Sequence, residues 1–478
     1  CVGLGYECGT WTNGTCVGTL DCGTCGLHTT CLSGTCVCDS GWSDCNNDNT
    51  CECDLSSSSC VGGSCVVENI NIITALSCSQ TDVQAAINSA VDGDVVVMPP
   101  GTCAWSSGIT VPSSLSVTIM GSGSSTILSI SSGYRFTISP NTGEFVRISS
   151  MLWDGGSGVN MIGIGGGNGG INTFRIDNII HQNTAGLATV DGLYYGVMDH
   201  NYVSGPVNTR VVAFTMGRTV NSLKSGGAMW EEPTDLGTNK FLFFEDNTIN
   251  FSTPNMGAGT FDGRYGSRVV FRHNTCINCH VGFHDFENPI PTRAMRAWEY
   301  YDNMFITTAV TSALALMRGG TGVWHDNLVR TAGYGWMNAP LIIRVSRSYG
   351  EPNGLPACDG TPEYFCIGEN VQPMFCTTDA DCGLGGRCVQ LDGYEDSTGY
   401  PCRDQWGLGQ TDPVTGIQTH EPVYEWNNYW CTAPDANCDP EPSANGIDFD
   451  FAMLGSTDHL REGRDYYSDT AKPGYTPY

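Results

Sequence analysis

The sequence predicts an all-β chain that winds into a right-handed parallel β-helix, a solenoid with an N-terminal capping helix and appended disulfide-rich modules. The main observation is a short phrase that recurs along the chain: apolar residues, then Asp or His, then Asn, then apolar residues. The Asn positions lie 23, 46, 27, 29 and 24 residues apart and are Asn178, Asn201, Asn247, Asn274, Asn303 and Asn327. A period in the twenties with a strand-like core and a fixed turn residue is typical of stacked coils.

We expect the recurring Asn to be the turn residue of each coil. Its short side chain tolerates the left-handed backbone conformation that most L-residues avoid. Stacked coils would place each Asn about 4.8 Å from the next, so that the amides can hydrogen-bond along the column. The preceding residues form a second column, which is either a solvated turn or a site: Asp177, His200, Asp246, His273, Asp302 and Asp326.

The chain divides by composition into four predicted segments. Residues 1–66 hold 13 cysteines and read as a disulfide-stapled module. Residues 67–345 are the β-helix with its cap, in which 82–90 has helical spacing. Residues 346–410 form a second Cys-rich insertion, and 411–478 contain the last coils and a polar tail.

Several cysteines have predicted partners. Cys78 and Cys103 flank the cap and are expected to bridge it, and two pairs close local loops: Cys276 with Cys279, and Cys431 with Cys438. The total of 25 cysteines is odd, so at least one lacks a partner within the chain. We expect this to be Cys1, available for an intermolecular bridge or for lipid attachment.

Charge and cysteine content limit the partners and the location. The net charge of −28 excludes nucleic acid and disfavours anionic polymers unless divalent cations bridge them, so neutral glycans, cations and proteins are the expected partners. The many cysteines indicate an oxidising, extracellular or cell-surface location. No apolar run of 18 residues occurs, so we expect no membrane span. Asn13 and Asn250 lie in sequons for N-glycosylation.

No set of residues is complete enough to be assigned as catalytic. The densest chemical patch includes His284, Arg293, Arg296 and Glu299, which could bind a metal or a sugar acid. The alternative is that the arginines pair with acids on neighbouring coils. Asp44, Asn46 and Asp48 present oxygens at alternate positions, as in a calcium loop, so calcium is a possible cofactor. An exposed polar turn explains the same three residues.

Three stretches carry a family resemblance: 83–123, 243–248 and 293–303. They resemble the cap and middle coils of secreted bacterial right-handed β-helix proteins of the pectate-lyase-like superfamily, and the resemblance covers roughly 75–345 and 400–475. It implies this fold and admits a lyase or a hydrolase. Asp199-His200 resembles part of the calcium-dependent lyase site, whereas the hydrolase motifs Asn-Thr-Asp, Gly-His-Gly and Arg-Ile-Lys do not occur.

These observations favour an extracellular structural protein, a surface or filament subunit built on a rigid and possibly glycosylated β-helix. The missing catalytic set, the stapled modules, the tail and the odd cysteine support it. Because a solenoid has open ends, we expect self-association end to end, or through the Cys-rich module and the tail. The alternatives are a polysaccharide lyase or glycoside hydrolase, and a glycan-binding adhesin.

Overall fold

The chain forms two compact units, residues 1–72 with 93–95, and residues 73–92 with 96–478. The computed structural model describes 70–130, 133–154, 162–165, 171, 173–182, 187–192, 195–205, 211–215, 227–253, 260–283, 293–308, 315–331, 341–343, 363–367, 376–392, 401–431 and 460–478, together with short strands before residue 68. In these ranges, no helix has the length and apolar character that a membrane span requires.

The described strands of the first unit form antiparallel hairpins. The pairs are Thr10–Thr12 with Thr19–Asp21, Thr29–Leu32 with Thr35–Cys38, Trp42–Ser43 with Cys53–Asp54, and Ser58–Val61 with Ser64–Val67. Five residues singled out from the sequence lie outside the described residues: Cys1, Asn13, Asp44, Asn46 and Asp48. Their predicted roles stay predictions, as do the segment boundaries at 66, 345 and 410.

The second unit begins with the predicted capping helix, which spans Gln80–Ser89. The Ser79 side chain accepts a hydrogen bond from the Asp82 backbone N–H and so satisfies one of the free donors of the first turn. Val83 and Ile87, one turn apart, are fully buried against the core. Cys78 and Cys103 form a disulfide.

The coils that follow form a parallel β-helix, as the repeat predicts. Each coil contributes a strand to sheet 1, turns a corner into sheet 2 and continues to sheet 3. Sheet 1 contains the first halves of Val117–Ile130, Val146–Asp154 and Phe174–Gln182, then Gly196–Asp199, Leu242–Glu245, Arg268–Arg272, Ala297–Tyr301, Thr321–His325, Val423–Trp426 and Tyr466–Tyr467.

Sheets 2 and 3 are also parallel throughout. Sheet 2 contains Gly101–Trp105, the second halves of the three long strands, Tyr202–Gly205, Thr248–Phe251, Thr275–Ile277, Met304–Thr307, Leu328–Thr331 and Tyr429–Cys431. Sheet 3 contains Ile109–Thr110, Phe136–Ile138, Ile162–Gly165, Ala188–Asp191, Val212–Thr215, Phe261–Arg264, Val281–Phe283, Ala315–Met317 and Leu341–Ile343. Short strands at Ile72–Thr74 and Val95–Val97 precede these coils in sequence.

The core between the sheets contains a stack of aromatic rings from successive coils. The Phe244, Phe271, Tyr300 and Trp324 ring centroids lie 5.3, 5.1 and 5.1 Å apart, with interplanar angles of 15° or less. All four are buried because they occupy the inward positions of sheet 1. The stack keeps neighbouring coils in register.

Three segments depart from the coils. A short helix at Gly227–Glu231 precedes a strand of sheet 1. A hairpin of Glu363–Ile367 and Arg387–Asp392 carries a 3-10 turn at Asp379–Cys382 and two disulfides, Cys366–Cys382 and Cys376–Cys388. The third segment is a hairpin that joins Leu408–Thr411 to Gln418–His420. Cys276 and Cys279 are bonded to each other, whereas Cys438, the predicted partner of Cys431, lies outside the described residues.

A ladder of buried asparagines holds the corner between sheets 1 and 2. From Asn247 onward, the Oδ1 atom of each asparagine accepts the backbone N–H and the Nδ2–H of the ladder asparagine one coil earlier, at 2.9–3.1 Å, whereas Asn201 Oδ1 accepts the Ile179 N–H at 3.0 Å. The members are Asn201, Asn247, Asn274, Asn303, Asn327 and Asn428. Each Nδ2 also donates to a carbonyl of the preceding coil, as from Asn274 to Phe244. The ladder therefore satisfies backbone groups that the corner removes from the sheets.

Asn178 has the left-handed conformation predicted for the recurring Asn, but it does not belong to the ladder. The other five predicted asparagines belong to the ladder, and for them the left-handed assignment is wrong. Asn178 is exposed, and the residue of its coil that meets Asn201 is Ile179. The left-handed residue is the one just before each ladder asparagine. These residues form the corner ridge, with φ between 53° and 60°: Ser150, Asn178, His200, Asp246, His273, Asp302, Asp326 and Asn427. Asp, Asn and His are the non-glycine residues most often found there.

Candidate functional site

The outer face of sheet 1 carries a row of polar and aromatic side chains next to the corner ridge. Parallel register places one residue of each coil in this outer row, about 4.8 Å from the next. Its members are Ser149, Asp177, Asp199, Glu245, Arg272, Tyr301, His325 and Trp426. Two residues earlier in each strand, a second row includes Arg147, Arg175, Phe243 and Glu299. The two rows place chemically active groups side by side.

In the first coils, each arginine of the second row binds the carboxylate of the next coil. Arg147 donates to both Asp177 oxygens, at 2.8 and 2.6 Å, and Arg175 donates to both Asp199 oxygens, at 2.9 and 2.6 Å. The carboxylates are buried, whereas the arginine side chains are 36% and 41% exposed. Burial opposes ionisation of Asp177, but its bonds with Arg147 hold the pKa of the carboxyl below its usual range. The arginines are thus fixed with one side open to solvent.

Asp199 fixes a second exposed group, the His200 imidazole. The Nδ1 atom of His200 lies 2.7 Å from Asp199 Oδ2, and the side chain is 58% exposed. In the neutral imidazole, a hydrogen bond donated from Nδ1 to Asp199 leaves the Nε2 lone pair free to accept a proton. One buried carboxylate therefore orients both a cation and a base, Arg175 and His200. We call Arg147, Arg175, Asp199 and His200 the open half of the row.

The next coils continue the row with groups that are largely buried. The guanidinium of Arg272 donates to Glu245 at 2.6 Å and to the Tyr301 hydroxyl at 2.8 Å. Burial, opposed in part by Arg272, raises the pKa of Tyr301 to about 12. This phenol is therefore a poor general base in the state described.

His325 follows Tyr301 in the row and lies between two rings. Its ring is parallel to those of Tyr301 and Trp426, at centroid distances of 4.9 and 4.1 Å. Nδ1 contacts Asp326 Oδ2 at 2.6 Å, while the buried Nε2 has no hydrogen-bond partner among the residues that the structure describes. Burial lowers the pKa of His325, and the Asp326 carboxylate opposes the shift. An unpaired polar atom at such a position is unusual in a folded protein.

Residues 471–478, here called the strap, cover this part of the row. The Tyr475 hydroxyl donates to Glu299 Oε2 at 2.5 Å, and the Gly237 N–H donates to the other oxygen at 2.7 Å. Burial raises the pKa of Glu299. Tyr475 packs edge-on against His325 and Trp426, and the Tyr478 ring lies 5.7 Å from Phe243. We call Arg272, Glu299, Tyr301 and His325 the covered half.

The predicted patch does not form one accessible site. Arg293 is 3% exposed and binds Asp404 through two bonds of 2.7 and 2.8 Å. Arg296 is fully buried and lies 3.3 Å from Glu421. Both guanidinium groups also contact the Trp230 ring. The arginines therefore pair with acids, as the alternative expected, but these acids lie on the segment 401–421 and not on neighbouring coils. Glu299 lies apart from them in the covered half, and His284 lies outside the described residues.

The described residues do not fit a calcium site. The carboxylates of Asp177, Asp199 and Glu245 are each engaged by an arginine, which supplies the positive charge in place of a cation. Within the described ranges, the group of ligand atoms close enough to hold a metal is Cys366, Cys376 and Cys382, and all three are in disulfides. We therefore derive no step through calcium.

A further position bears on the sequence predictions. Asn250, the described sequon residue, is half-buried on a strand of sheet 2, where its amide lies 3.5 Å from the Tyr202 hydroxyl.

Arg147 and Arg175 were missed as site residues. The shared phrase Arg-Ile-Ser/Asp at 147–149 and 175–177 marks both, since it puts an outward Arg two residues before an outward oxygen ligand.

The chain was compared with known protein families, curated sequences and solved structures. No protein-family model and no curated protein sequence matches the chain. The chain is similar to the solved structure of an alginate lyase from Paenibacillus sp. str. FPU-7, at 13% identity and TM-score 0.29, covering 56% of this chain and 95% of that one. It is similar to a PL6 family polysaccharide lyase from Pseudopedobacter saltans, at 13% identity and TM-score 0.37, covering 85% and 94%.

Both of these structures are polysaccharide lyases. This finding contradicts our expectation of a structural filament subunit, which we do not pursue further. End-to-end association and binding of glycans stay predictions. The parallel β-helix of this chain is established by its own strand register.

Proposed function

We propose that the chain is an extracellular polysaccharide lyase that cleaves uronate-containing glycans at the open half of the outer row. The observation that carries this proposal is the arrangement around Asp199, which binds Arg175 on one side and His200 on the other. Cleavage of a uronate chain by elimination needs a cation for the sugar carboxylate and a base for the proton on the adjacent carbon. Arg175 and His200 supply these two groups from one buried anchor.

The arginines are suited to hold the sugar carboxylate. Arg147 and Arg175 both use Nε and Nη2 on their aspartates, which, among the residues that the structure describes, leaves Nη1 and its two protons for a ligand. Because the aspartates fix the guanidinium planes, little side-chain freedom is lost when substrate binds. The two arginines stand on adjacent coils, about 4.8 Å apart, so one sugar carboxylate can contact either or both.

His200 performs the proton transfer in this proposal. Its Nε2 takes the proton from the carbon that bears the carboxylate, and the electron pair forms a double bond to the neighbouring carbon. The bond from that neighbour to the glycosidic oxygen then breaks, and the departing oxygen takes a proton from the imidazolium. The products are an unsaturated uronate and a shortened chain with a new hydroxyl, so no water is consumed. Asp199 stabilises the imidazolium that forms between the two transfers.

The overall charge of the protein opposes this substrate at long range. A net charge of −28 repels a polyuronate, while the paired arginines act at contact distance only. Added salt should therefore raise the rate of productive encounter at low ionic strength, because the Debye length falls to about 10 Å at 0.1 M. A substrate attracted to a basic groove would show the opposite dependence.

The test is a panel of uronate and neutral polysaccharides, followed by the ultraviolet absorbance of the unsaturated product. We expect cleavage of a uronate polymer by the unaltered chain and a loss of about 100-fold or more in His200→Gln. His273→Gln is the matched control, because His273 occupies the same ridge position but lies 3.9 Å from its nearest carboxylate. Equal activity in His200→Gln would contradict the assigned role of His200. Cleavage confined to neutral polymers would contradict the proposal and favour a hydrolase, because neutral sugars have no carboxylate to support the elimination.

A further inference from the structure

The strap is attached to the sheet in an unusual way. Residues 471, 473, 474 and 476–478 are exposed, and Lys472 and Tyr475 are half-buried. In the described part of the chain, the strap adds no strand to sheet 1, whose last strand is Tyr466–Tyr467. Its contacts are instead made by the Lys472 ammonium over Tyr424, by the rings of Tyr475 and Tyr478, and by the Tyr478 carbonyl, which accepts from Arg272. The Thr476 carbonyl also lies against Gly237. The strap is therefore held at a few points, by ring, ammonium and carbonyl contacts, and not by strand pairing with sheet 1.

The groups beneath the strap form a polar site in which one buried atom lacks a hydrogen-bond partner among the described residues. The Tyr475 hydroxyl satisfies one Glu299 oxygen, but the Nε2 atom of His325 finds no partner among the described residues although Tyr475 packs against its ring. Leaving a buried polar atom unpaired costs free energy, which a better-fitting ligand would recover. Carboxylate, guanidinium, imidazole and phenol groups together bind hydroxyl and carboxylate oxygens, the groups that line a sugar chain.

The covered half also continues the open half without a break in register. Asp199 is directly paired with Glu245, Glu245 with Arg272, and Arg272 with Tyr301. A glycan extending from the open half along the sheet would meet the strap after one or two coils. The strap thus lies on the part of sheet 1 toward which a bound glycan would extend.

We propose that the strap is a self-ligand, which occupies a second saccharide-binding site in the covered half and competes with glycan for it. Taking a saccharide as the competitor rests on the proposed function, whereas the competition itself rests on the contacts above. The Tyr475 hydroxyl takes the place of a sugar hydroxyl on Glu299, and the Tyr478 carbonyl takes the place of a sugar oxygen on Arg272. Displacing the strap would expose Glu299, Tyr301 and His325 and lengthen the binding row.

The test compares binding of uronate and neutral hexasaccharides to five forms of the chain by calorimetry. Tyr475→Phe keeps the ring and removes only the bond to Glu299, so we expect about three- to tenfold tighter binding of a hexasaccharide. A chain ending at Thr470 should bind about tenfold tighter or more. Tyr467→Phe is the matched control, because the Tyr467 hydroxyl donates to Gly463 away from the covered half. It should bind as the unaltered chain does.

The outcomes separate this inference from the proposed function. Tighter binding in the shortened chain, without cleavage by any form, supports the self-ligand and refutes the lyase. Cleavage with unchanged affinity in Tyr475→Phe and in the shortened chain refutes the self-ligand alone. A shortened chain that unfolds at clearly lower urea, with unchanged affinity in Tyr475→Phe, would show that the strap is part of the fold, and would also refute the inference. His325→Gln in the shortened chain should remove the gain.

Discussion

The asparagine ladder gives the sharpest stability prediction, and Asn274→Ala is the change that tests it. The Asn274 side chain accepts the Asn247 backbone N–H and Nδ2–H at 3.0 and 3.1 Å, and donates to the Phe244 carbonyl at 2.8 Å and to Asn303 Oδ1 at 3.1 Å. Asn247 Nδ2 keeps other acceptors in the variant, and Asn303 Oδ1 keeps the residue-274 backbone N–H. Two buried main-chain groups, the N–H of Asn247 and the carbonyl of Phe244, lose this partner.

An unsatisfied buried group costs about 1–3 kcal/mol, so the two together predict a loss of roughly 2–6 kcal/mol in the free energy of unfolding. The assay is urea unfolding followed by tryptophan fluorescence, with hydrogen exchange at the corner amides as a local readout. The matched control is Asn178→Gly, since glycine adopts φ of 55° freely and Asn178 is exposed; we expect a loss below about 1 kcal/mol. Equal losses in the two variants, or a loss below 1 kcal/mol in Asn274→Ala, would refute the reasoning.

Three further predictions concern the core, the buried ion pair and the site. Phe271→Ala should cost about 3–5 kcal/mol in urea unfolding, because Phe271 lies inside the aromatic stack; an effect like that of an ordinary surface substitution would contradict this. Asp404→Asn should cost about 3–5 kcal/mol by leaving the buried Arg293 charge unpaired. Burial opposes ionisation of Asp404, yet Arg293 holds the pKa of this carboxyl below its ordinary value of 3.8. Its stabilisation is therefore present above that pH and lost as pH falls further, and acid titration of unfolding should be shallower in the variant. Asp199→Asn should lower kcat more than it raises KM, because it misorients His200; an unchanged kcat would exclude that role.

Much of the fold follows from the repeat alone. Every coil must satisfy the same corner, so the same residue types return at each one, and the spacing of the ladder asparagines predicts the stack. The error at Asn178 arises because Asp177-Asn178 resembles the corner phrase one residue out of register. Ile176 and Met198 are the inward residues of their strands, and pairing them aligns Asp177 with Asp199. This alternation of inward and outward residues could have corrected the register.

The site could be predicted only in part. Arg175 and Asp199 meet across 24 residues, a contact that depends on the register of two coils and not on adjacency in sequence. Arg293 and Arg296 were candidates because they lie in a stretch rich in charged residues and histidines. Their partners Asp404 and Glu421 lie 111 and 125 residues away, so the burial of the two arginines could not be predicted from the sequence. The strap meets Glu299 and Arg272 across 176 and 206 residues, in contacts that no local pattern encodes.

The most direct test of the central claim is the mass of the products formed from a purified uronate oligosaccharide. Elimination at the Arg175–Asp199–His200 site predicts two fragments whose masses add up to the mass of the substrate, since no water enters. The same incubation with His200→Gln should leave the substrate intact. Fragments whose masses together exceed the substrate by one water would identify hydrolysis. That result, or intact substrate in the unaltered chain with every uronate tried, would contradict the account.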